Sequence, residues 1–217
     1  DGDMDIVFAA DGQGNFISWW ENPYPSFSPT QTWIKHFIKN TGANKHHDLQ
    51  FGDVDGDNKA ELVFWNQEEP GLYVAEIPTN PKSVSSWTRN KIYTSTSKHE
   101  GLAIYDIDSD GKKDIVGGGL WFKHTSGASY QVNTIDNSRA YTRTAVGQLI
   151  PGGRPEVVLS AGDEAGTIDM YSWNGNTWSK QQLSTIDHGH SLQITDIDGN
   201  GTQDIFSAEM RVNGTNP

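Results

Sequence analysis

Cysteine is absent from the 217 residues, so no disulfide contributes to stability and the redox compartment cannot be read from thiol usage. Basic residues are scarce: 16 Lys and Arg stand against 28 Asp and Glu, a formal charge of -12 with a pI near 4.8. A nucleic-acid backbone rewards clustered positive charge, and this composition argues against such a partner. No apolar run approaches the roughly 18 residues that a membrane-spanning helix needs, and no stretch carries a helical hydrophobic period. What is plentiful is glycine, at 23 residues, with 9 prolines and 8 tryptophans in a chain that is 34% hydrophobic. That is a turn-rich composition with enough apolar side chain for one large domain, and it points to an all-β protein. The chain opens on "DGDMDIVFAA", which reads as the interior of a repeat with no signal peptide visible, so the natural N-terminus is expected upstream.

A repeat of about 50 residues organises the chain. "GDVDGDNKAELVF" from Gly52 recurs as "YDIDSDGKKDIVG" from Tyr105 and "TDIDGNGTQDIFS" from Thr195, and "DGDMDIVFA" at Asp1 matches the back half of the pattern. "GQLIPGGRPEVVL" from Gly147 keeps the length and the closing acid Glu156 but not the earlier carboxylates. A second marker runs in phase, an aromatic followed five residues later by an aliphatic: Trp33 and Ile38, Trp87 and Ile92, Tyr130 and Ile135, Trp178 and Leu183. Short alternating runs such as "ELVFWN" and "GLYVAEIP", bounded by Gly, Pro, Asn or Asp, read as antiparallel strands, four to a unit. Repeated four-stranded units predict an all-β β-propeller, a single domain over 1–217 that is a fragment of a larger ring of about seven blades. The expected division is a partial blade at 1–45, blades at 46–97, 98–139 and 140–187, and a partial blade at 188–217. A β-sandwich of similar strand density is the alternative, but it has no reason to repeat its loop chemistry.

The acidic loops carry the clearest chemistry. Counted from the first aspartate, positions 1, 3 and 5 are Asp53, Asp55 and Asp57, then Asp106, Asp108 and Asp110, then Asp196, Asp198 and Asn200; position 9 is Glu61, Asp114 and Asp204. Alternate side chains in a tight turn converge their oxygens, and the position 7 carbonyls of Lys59, Lys112 and Thr202 can join them. The result is a hard, oxygen-only cage suited to Ca²⁺, expected at three sites. Four carboxylates a few ångströms apart without a cation would repel one another. An EF-hand closes with an acid at position 12, where this chain has Phe64, Gly117 and Ser207. Gly111, Gly201 and Asn58 at position 6 suit a left-handed turn. The sequons at Asn200 and Asn213 read as chance, because Asn200 is an expected metal ligand.

These loops, set between two apolar strands and preceded in one copy by Phe51 and Gly52, resemble the FG-GAP or VCBS-type repeats of calcium-binding β-propellers. Such repeats occur in integrin α heads, fungal lectins and many secreted carbohydrate-active proteins. The resemblance implies the propeller fold, bound calcium and an extracellular or cell-surface setting; one fold hosts many activities, and it does not specify one.

The first strand of a propeller blade lines the central channel, so residues six to eight positions before each loop should gather at one mouth. They are Lys45, His46 and His47; Lys98, His99 and Glu100; Ala140, Tyr141 and Thr142; and His188, Gly189 and His190, with Arg139 and Arg143 flanking the third set. Five of the seven histidines fall here. His47, His99, Tyr141, Arg143, His188 and His190 are the candidate catalytic residues. Arg and Lys would neutralise a uronate carboxylate, and His or Tyr would take the adjacent proton in a β-elimination, making a polysaccharide lyase or sugar dehydratase the favoured reading. Alternatives are a water-filled polar channel, a transition metal such as Zn²⁺ held by His47, His188 and His190, or a calcium-dependent lectin or adhesion module without catalysis. The expected partner is carbohydrate, including acidic polysaccharide. Trp19, Trp20 and Tyr24 could stack on sugar faces, although such tryptophans more often pack between blades.

Overall fold

The structure is a computed structural model and describes residues 2–210; Asp1 and residues 211–217, which hold the Asn213 sequon, lie outside it. Seventeen strands form five antiparallel sheets with no α-helix among the described residues, and none of its helices is long and apolar enough to cross a membrane. The first sheet has β1 (Ile6–Ala9), β2 (Ile17–Glu21) and β3 (Ile34–Lys39). The second has β4 (His46–Gly52), β5 (Glu61–Asn66), β6 (Gly71–Glu76) and β7 (Arg89–Thr94). The third has β8 (Ala103–Tyr105), β9 (Asp114–Gly117), β10 (Leu120–Ser126) and β11 (Ser129–Thr134). The fourth has β12 (Thr142–Gly147), β13 (Glu156–Ala161), β14 (Ala165–Trp173) and β15 (Trp178–Asp187), and β16 (Ser191–Thr195) pairs with β17 (Asp204–Ala208). The three complete sheets are sequential meanders of four strands, the expected blade.

Blade stacking explains the sequence pattern of the second strands. Every residue of β5, β9 and β13 is buried. On β5, Leu62 and Phe64 pack toward the first sheet with Ile17, Trp19, Ile38 and Trp87, whereas Val63 and Trp65 pack toward the third with Leu102, Ile115 and Phe122. Side chains alternate faces along a strand, so a strand sandwiched between two neighbours must be apolar at every position. The aromatic and aliphatic markers turn out to be partners between blades rather than within one. Ile38 packs in one core with Trp87, Ile92 with Tyr130, and Ile135 with Trp178, each aliphatic meeting the aromatic of the next unit.

The first strands of consecutive blades, β4, β8, β12 and β16, lie side by side. Their approach is close enough that a Cβ on Gly52 would sit 2.8 Å from Ile104 Cγ2, and one on Gly147 would sit 2.6 Å from Ile194 Cγ2. Each of β4, β8 and β16 begins near the candidate mouth and runs into an acidic loop, and β12 runs into the degenerate one. Six or seven extended residues separate the two, roughly 20 Å, so loop and mouth sit at opposite ends of the same strand.

Candidate functional site

All three acidic loops share one hydrogen-bonded scaffold. The carboxylate at position 1 accepts two backbone N–H bonds from across the turn: Asp53 from Gly56 and Asn58 at 2.7 and 2.9 Å, Asp106 from Asp110 and Gly111 at 3.0 and 2.8 Å, and Asp196 from Gly199 and Gly201 at 2.8 Å each. Position 9 reaches back to the N–H at position 2: Glu61 to Val54, Asp114 to Ile107, and Asp204 to Ile197. The N–H groups of Lys59, Lys112 and Thr202 donate to the side chains of Asp57, Asp110 and Asn200, which fixes position 7 in the turn. Position 6 is left-handed at Asn58, Gly111 and Gly201, with φ of 67°, 88° and 87°. Position 4, where no such requirement was expected, is left-handed too, at Gly56, Ser109 and Gly199.

Oxygens left over by this scaffold are what a cation would need. Carboxylate oxygens of Asp53, Asp55 and Asp57 lie within 4.8 Å of one another, as do those of Asp106, Asp108 and Asp114, and of Asp196, Asp198 and Asp204. Glu61 is fully buried, its Oε2 holds Val54, and its Oε1 has no partner. Burial above all, then the Asp55, Glu76 and Asp57 charges, push Glu61 up to about 7 against the pull of the Val54 N–H. Asp114 is likewise pushed up to about 7, chiefly by burial. Buried carboxylates without counter-charge are costly, and these clusters are consistent with Ca²⁺ sites. In the degenerate repeat, Glu156 accepts from Leu149 and Ile150 at 2.9 and 3.0 Å and acts as scaffold alone.

At the other end of the first strands, the candidate mouth residues divide into two groups. His47, Tyr141, Arg143 and His190 come together around Glu100, which has no exposed surface. His47 Nδ1 lies 3.0 Å from Glu100 Oε1, and its Nε2 faces Asp11 at 3.4 Å. The Arg143 guanidinium sits 2.8 Å from Glu100 Oε2, 3.3 Å from Asp48 Oδ1 and 2.5 Å from His190 Nε2. Tyr141 donates to Asp163 Oδ2 at 2.8 Å, and His190 lies 3.2 Å from Asp163 Oδ1. Gln67 donates to Glu100 Oε1 at 2.9 Å. Burial alone would raise Glu100, but the His47 hydrogen bond, the Arg143 and His47 charges and the Tyr141 hydroxyl outweigh it and hold Glu100 at about 2. Burial depresses His47, yet its bond to Glu100 and the surrounding carboxylates raise it overall. The contact therefore favours the charged form of both partners.

His99 and His188 do not join this centre. His99 is buried, its ring stacked on Trp65 with centroids 4.9 Å apart and its Nδ1 bonded to Ser95 Oγ. Burial lowers it, despite the Ser97 carbonyl. His46, at the equivalent position, is buried against Phe64 and bonded to the Ala10 carbonyl. Both histidines point into the inter-blade cores, whereas Tyr141, at the same count from its loop, carries its hydroxyl to Asp163. His188 pairs with the exposed Asp187 at 2.7 Å. The three-histidine metal grouping therefore does not form among the described residues. Ligand atoms of His190, Glu100 and Asp163 do converge, but the Arg143 guanidinium contacts two of those three residues and supplies the positive charge.

Asp48 and Asp163 are site residues that sequence reasoning passed over, and Glu100 was placed at the mouth but not among the candidate catalytic residues. Asp48 is held at φ 50° in a bulge between His47 and Leu49, which turns its carboxylate onto the Gly101 N–H at 2.8 Å and onto Arg143. A signal existed in the chain: Asp48 and Gly101 both stand five residues before their loops, and both are left-handed. The network opens on a cleft of about 490 Å³ lined by Asp48, Gln50, Arg143, His190, Gln193 and Phe206 among others. A second hollow of about 350 Å³ reaches it from the side of Tyr141, Asp163 and Glu164.

Fold and loops together define a class: an all-β repeat protein of four-stranded antiparallel blades, each complete blade joined between its first two strands by a loop that is acidic in two of the three. Residues 1–64, which contain the first complete acidic loop, match the model of the FG-GAP-like repeat family. A comparison with curated proteins finds no match.

Proposed function

We propose that this protein is a calcium-stabilised propeller acting on carbohydrate, with an elimination centre at the mouth built around Glu100. The observation that carries the reading is that a fully buried carboxylate of the third blade ties His47 of the second to Arg143 and Tyr141 of the fourth, in one charged network beside an open cleft. Structural ion pairs between blades need no cleft and no half-exposed imidazole. His190 is the base: its side chain is 40% exposed and lines the cleft, and it takes a proton from the carbon next to a carbonyl. The electron pair of that C–H bond forms the new C=C bond, and the C–O bond on the adjacent carbon breaks. Arg143, oriented by Glu100 and Asp48, faces the negative charge that builds on the carbonyl oxygen. Tyr141 and His47 are the proton carriers on the same network that can protonate the departing oxygen.

The charge balance favours a neutral sugar over a uronate. Arg143 is already committed to Glu100, Asp48 and His190, and Asp11 and Asp163 add negative charge around the mouth. A substrate carboxylate would meet repulsion there. Calcium fills the acidic loops most readily at the millimolar concentrations found outside cells, which supports an extracellular setting.

A lectin is the second reading, favoured by a separate hollow of about 220 Å³ lined by Trp19, Trp87, Phe51 and Asp5, where rings and a carboxylate suit a sugar face. To separate the two, the protein is incubated with neutral keto-sugars and, in parallel, with uronate polysaccharides, and the absorbance of the unsaturated product is followed for wild type, His190→Ala and Tyr141→Phe. Product from the neutral substrate that is lost in His190→Ala supports the elimination. Saccharide binding without product from any substrate, surviving both substitutions, refutes it and leaves the lectin.

A further inference from the structure

The two complete acidic loops on the second and third sheets are built alike, yet each faces a different charge on its third strand. In the second sheet the closing acid Glu61 pairs across to Glu76. In the third sheet Ile115 pairs with Phe122 as Leu62 pairs with Ala75, so the next residues along, Asp114 and Lys123, take the places of Glu61 and Glu76. One register position thus carries a carboxylate in one blade and an ammonium in the next. In the degenerate fourth blade the same position is Ser172, beside Glu156.

Lys123 uses its place. Its Nζ bonds to Asp108 Oδ2 and lies 2.7 Å from Asp110 Oδ2, positions 3 and 5 of its loop. Asp108 is 11% exposed and Lys123 is 30% exposed, so water screens this contact less than it does the other Lys–Asp pair of the loops. That pair joins Lys59 to Asp57 and is 75% and 39% exposed, a surface contact of small consequence. Asp108 and Asp110 are two of the carboxylates a cation would use, and Asp110 is missing from the group that converges in this loop. In the first loop the only lysine ion pair among the described residues is that exposed Lys59–Asp57 pair; Glu61 keeps a buried oxygen without a partner, and Glu76 adds negative charge behind it.

We propose that Lys123 is an internal cation competing with Ca²⁺ for the Asp106–Asp114 loop, so that the third-strand residue opposite the closing acid ranks the calcium affinities of the blades. The Asp53–Glu61 loop, backed by Glu76, fills first. The Asp106–Asp114 loop fills only at higher calcium, when the ammonium swings out toward solvent. Without calcium, Lys123 offsets part of the charge of that loop through Asp108 and Asp110 and helps to keep its blade folded. The inference rests on the calcium reading of the loops, and the two can fail separately.

Calorimetric titration of the full chain with CaCl₂ tests it, comparing wild type, Lys123→Gln and Glu76→Gln. Wild type should show one binding step at least tenfold weaker than the tightest, a gap of about 1.4 kcal/mol. Lys123→Gln should tighten that weak step by about tenfold or more, and Glu76→Gln should weaken a tight one. Thermal melts give an independent readout. Lys123→Gln should melt below wild type in chelator and at or above it in saturating calcium, a crossing that a merely structural lysine would not produce. Calcium uptake unchanged within about threefold in Lys123→Gln, with melting lowered equally in both conditions, overturns the proposal while leaving the calcium sites in place. No uptake by wild type overturns both.

Discussion

Replacing Glu100 by Gln keeps the shape and removes one charge from the centre of the mouth, which makes it the most informative single substitution. In the folded chain Glu100 is held at about 2 against an ordinary value of 4.5. A difference of that size corresponds to roughly 3 kcal/mol of stabilisation of the carboxylate, in line with the 3–5 kcal/mol typical of a buried pair broken on one side. For a domain of this length each kcal/mol moves the midpoint by about 2–4 °C, so Glu100→Gln should melt roughly 6–12 °C below wild type at neutral pH. The pH dependence has a definite sign. Because folding depresses the Glu100 pKa, its contribution is complete above about 4.5 and is lost as pH falls toward about 2. His47 works in the opposite direction: its raised pKa makes its share fully present at low pH and lost as pH rises through the folded value. The gap between wild type and variant should therefore be greatest between these limits, narrowing on both sides, with the Arg143 contact remaining on the alkaline side. Urea denaturation in saturating calcium at a series of pH values from about 3 to 9 measures it. A gap below about 1 kcal/mol at neutral pH, or one that stays constant into acid, would refute the account of Glu100 as the charged hub.

Chelation gives a direct check on the loops: with calcium at about 100-fold its Kd, each site stabilises by about 2.7 kcal/mol, so EDTA should lower the melting temperature by several degrees per site, and an unchanged melt would exclude calcium. His99→Ala should cost about 2–4 kcal/mol through lost stacking on Trp65 and the lost Ser95 bond. The folded variant should still turn over saccharide at the wild-type rate, in contrast to His190→Ala; equal loss of turnover in both would place His99 in the chemistry.

Much of this protein was open to reading one residue at a time, and the reason is repetition. Copies of a loop reveal which positions matter: carboxylates at 1 and 3 converge in all three acidic loops, joined by position 5 at Asp57 and by position 9 at Asp114 and Asp204, because a tight turn leaves alternate side chains little choice of direction. Position 4 was missed at Ser109, since a serine does not advertise a left-handed backbone as Asn58 or glycine does. Of the candidate mouth residues, His47, Tyr141, Arg143 and His190 gather around Glu100, whereas His99 and His188 do not. Counting six to eight residues back from each loop finds the strand end, whereas a one-residue change along a strand reverses the face. His47 thus reaches Glu100 while His46 and His99 are packed between blades, and Tyr141, at the same count as those two, reaches Asp163 only through its long side chain.

The sequence by itself determined the blade, its strand order and its acidic loops, because period-two alternation and turn chemistry are local properties of the chain. Only the tertiary structure decided which units touch: that Ile38 meets Trp87 and Ile92 meets Tyr130 across blades, that Lys123 enters its own acidic loop from the third strand, and that Arg143 meets Asp48 from 95 residues away. These are contacts between side chains far apart in the chain. Their partners depend on the angle and distance at which rigid sheets stack, and that geometry is set by whole inter-blade cores rather than by any one stretch of residues.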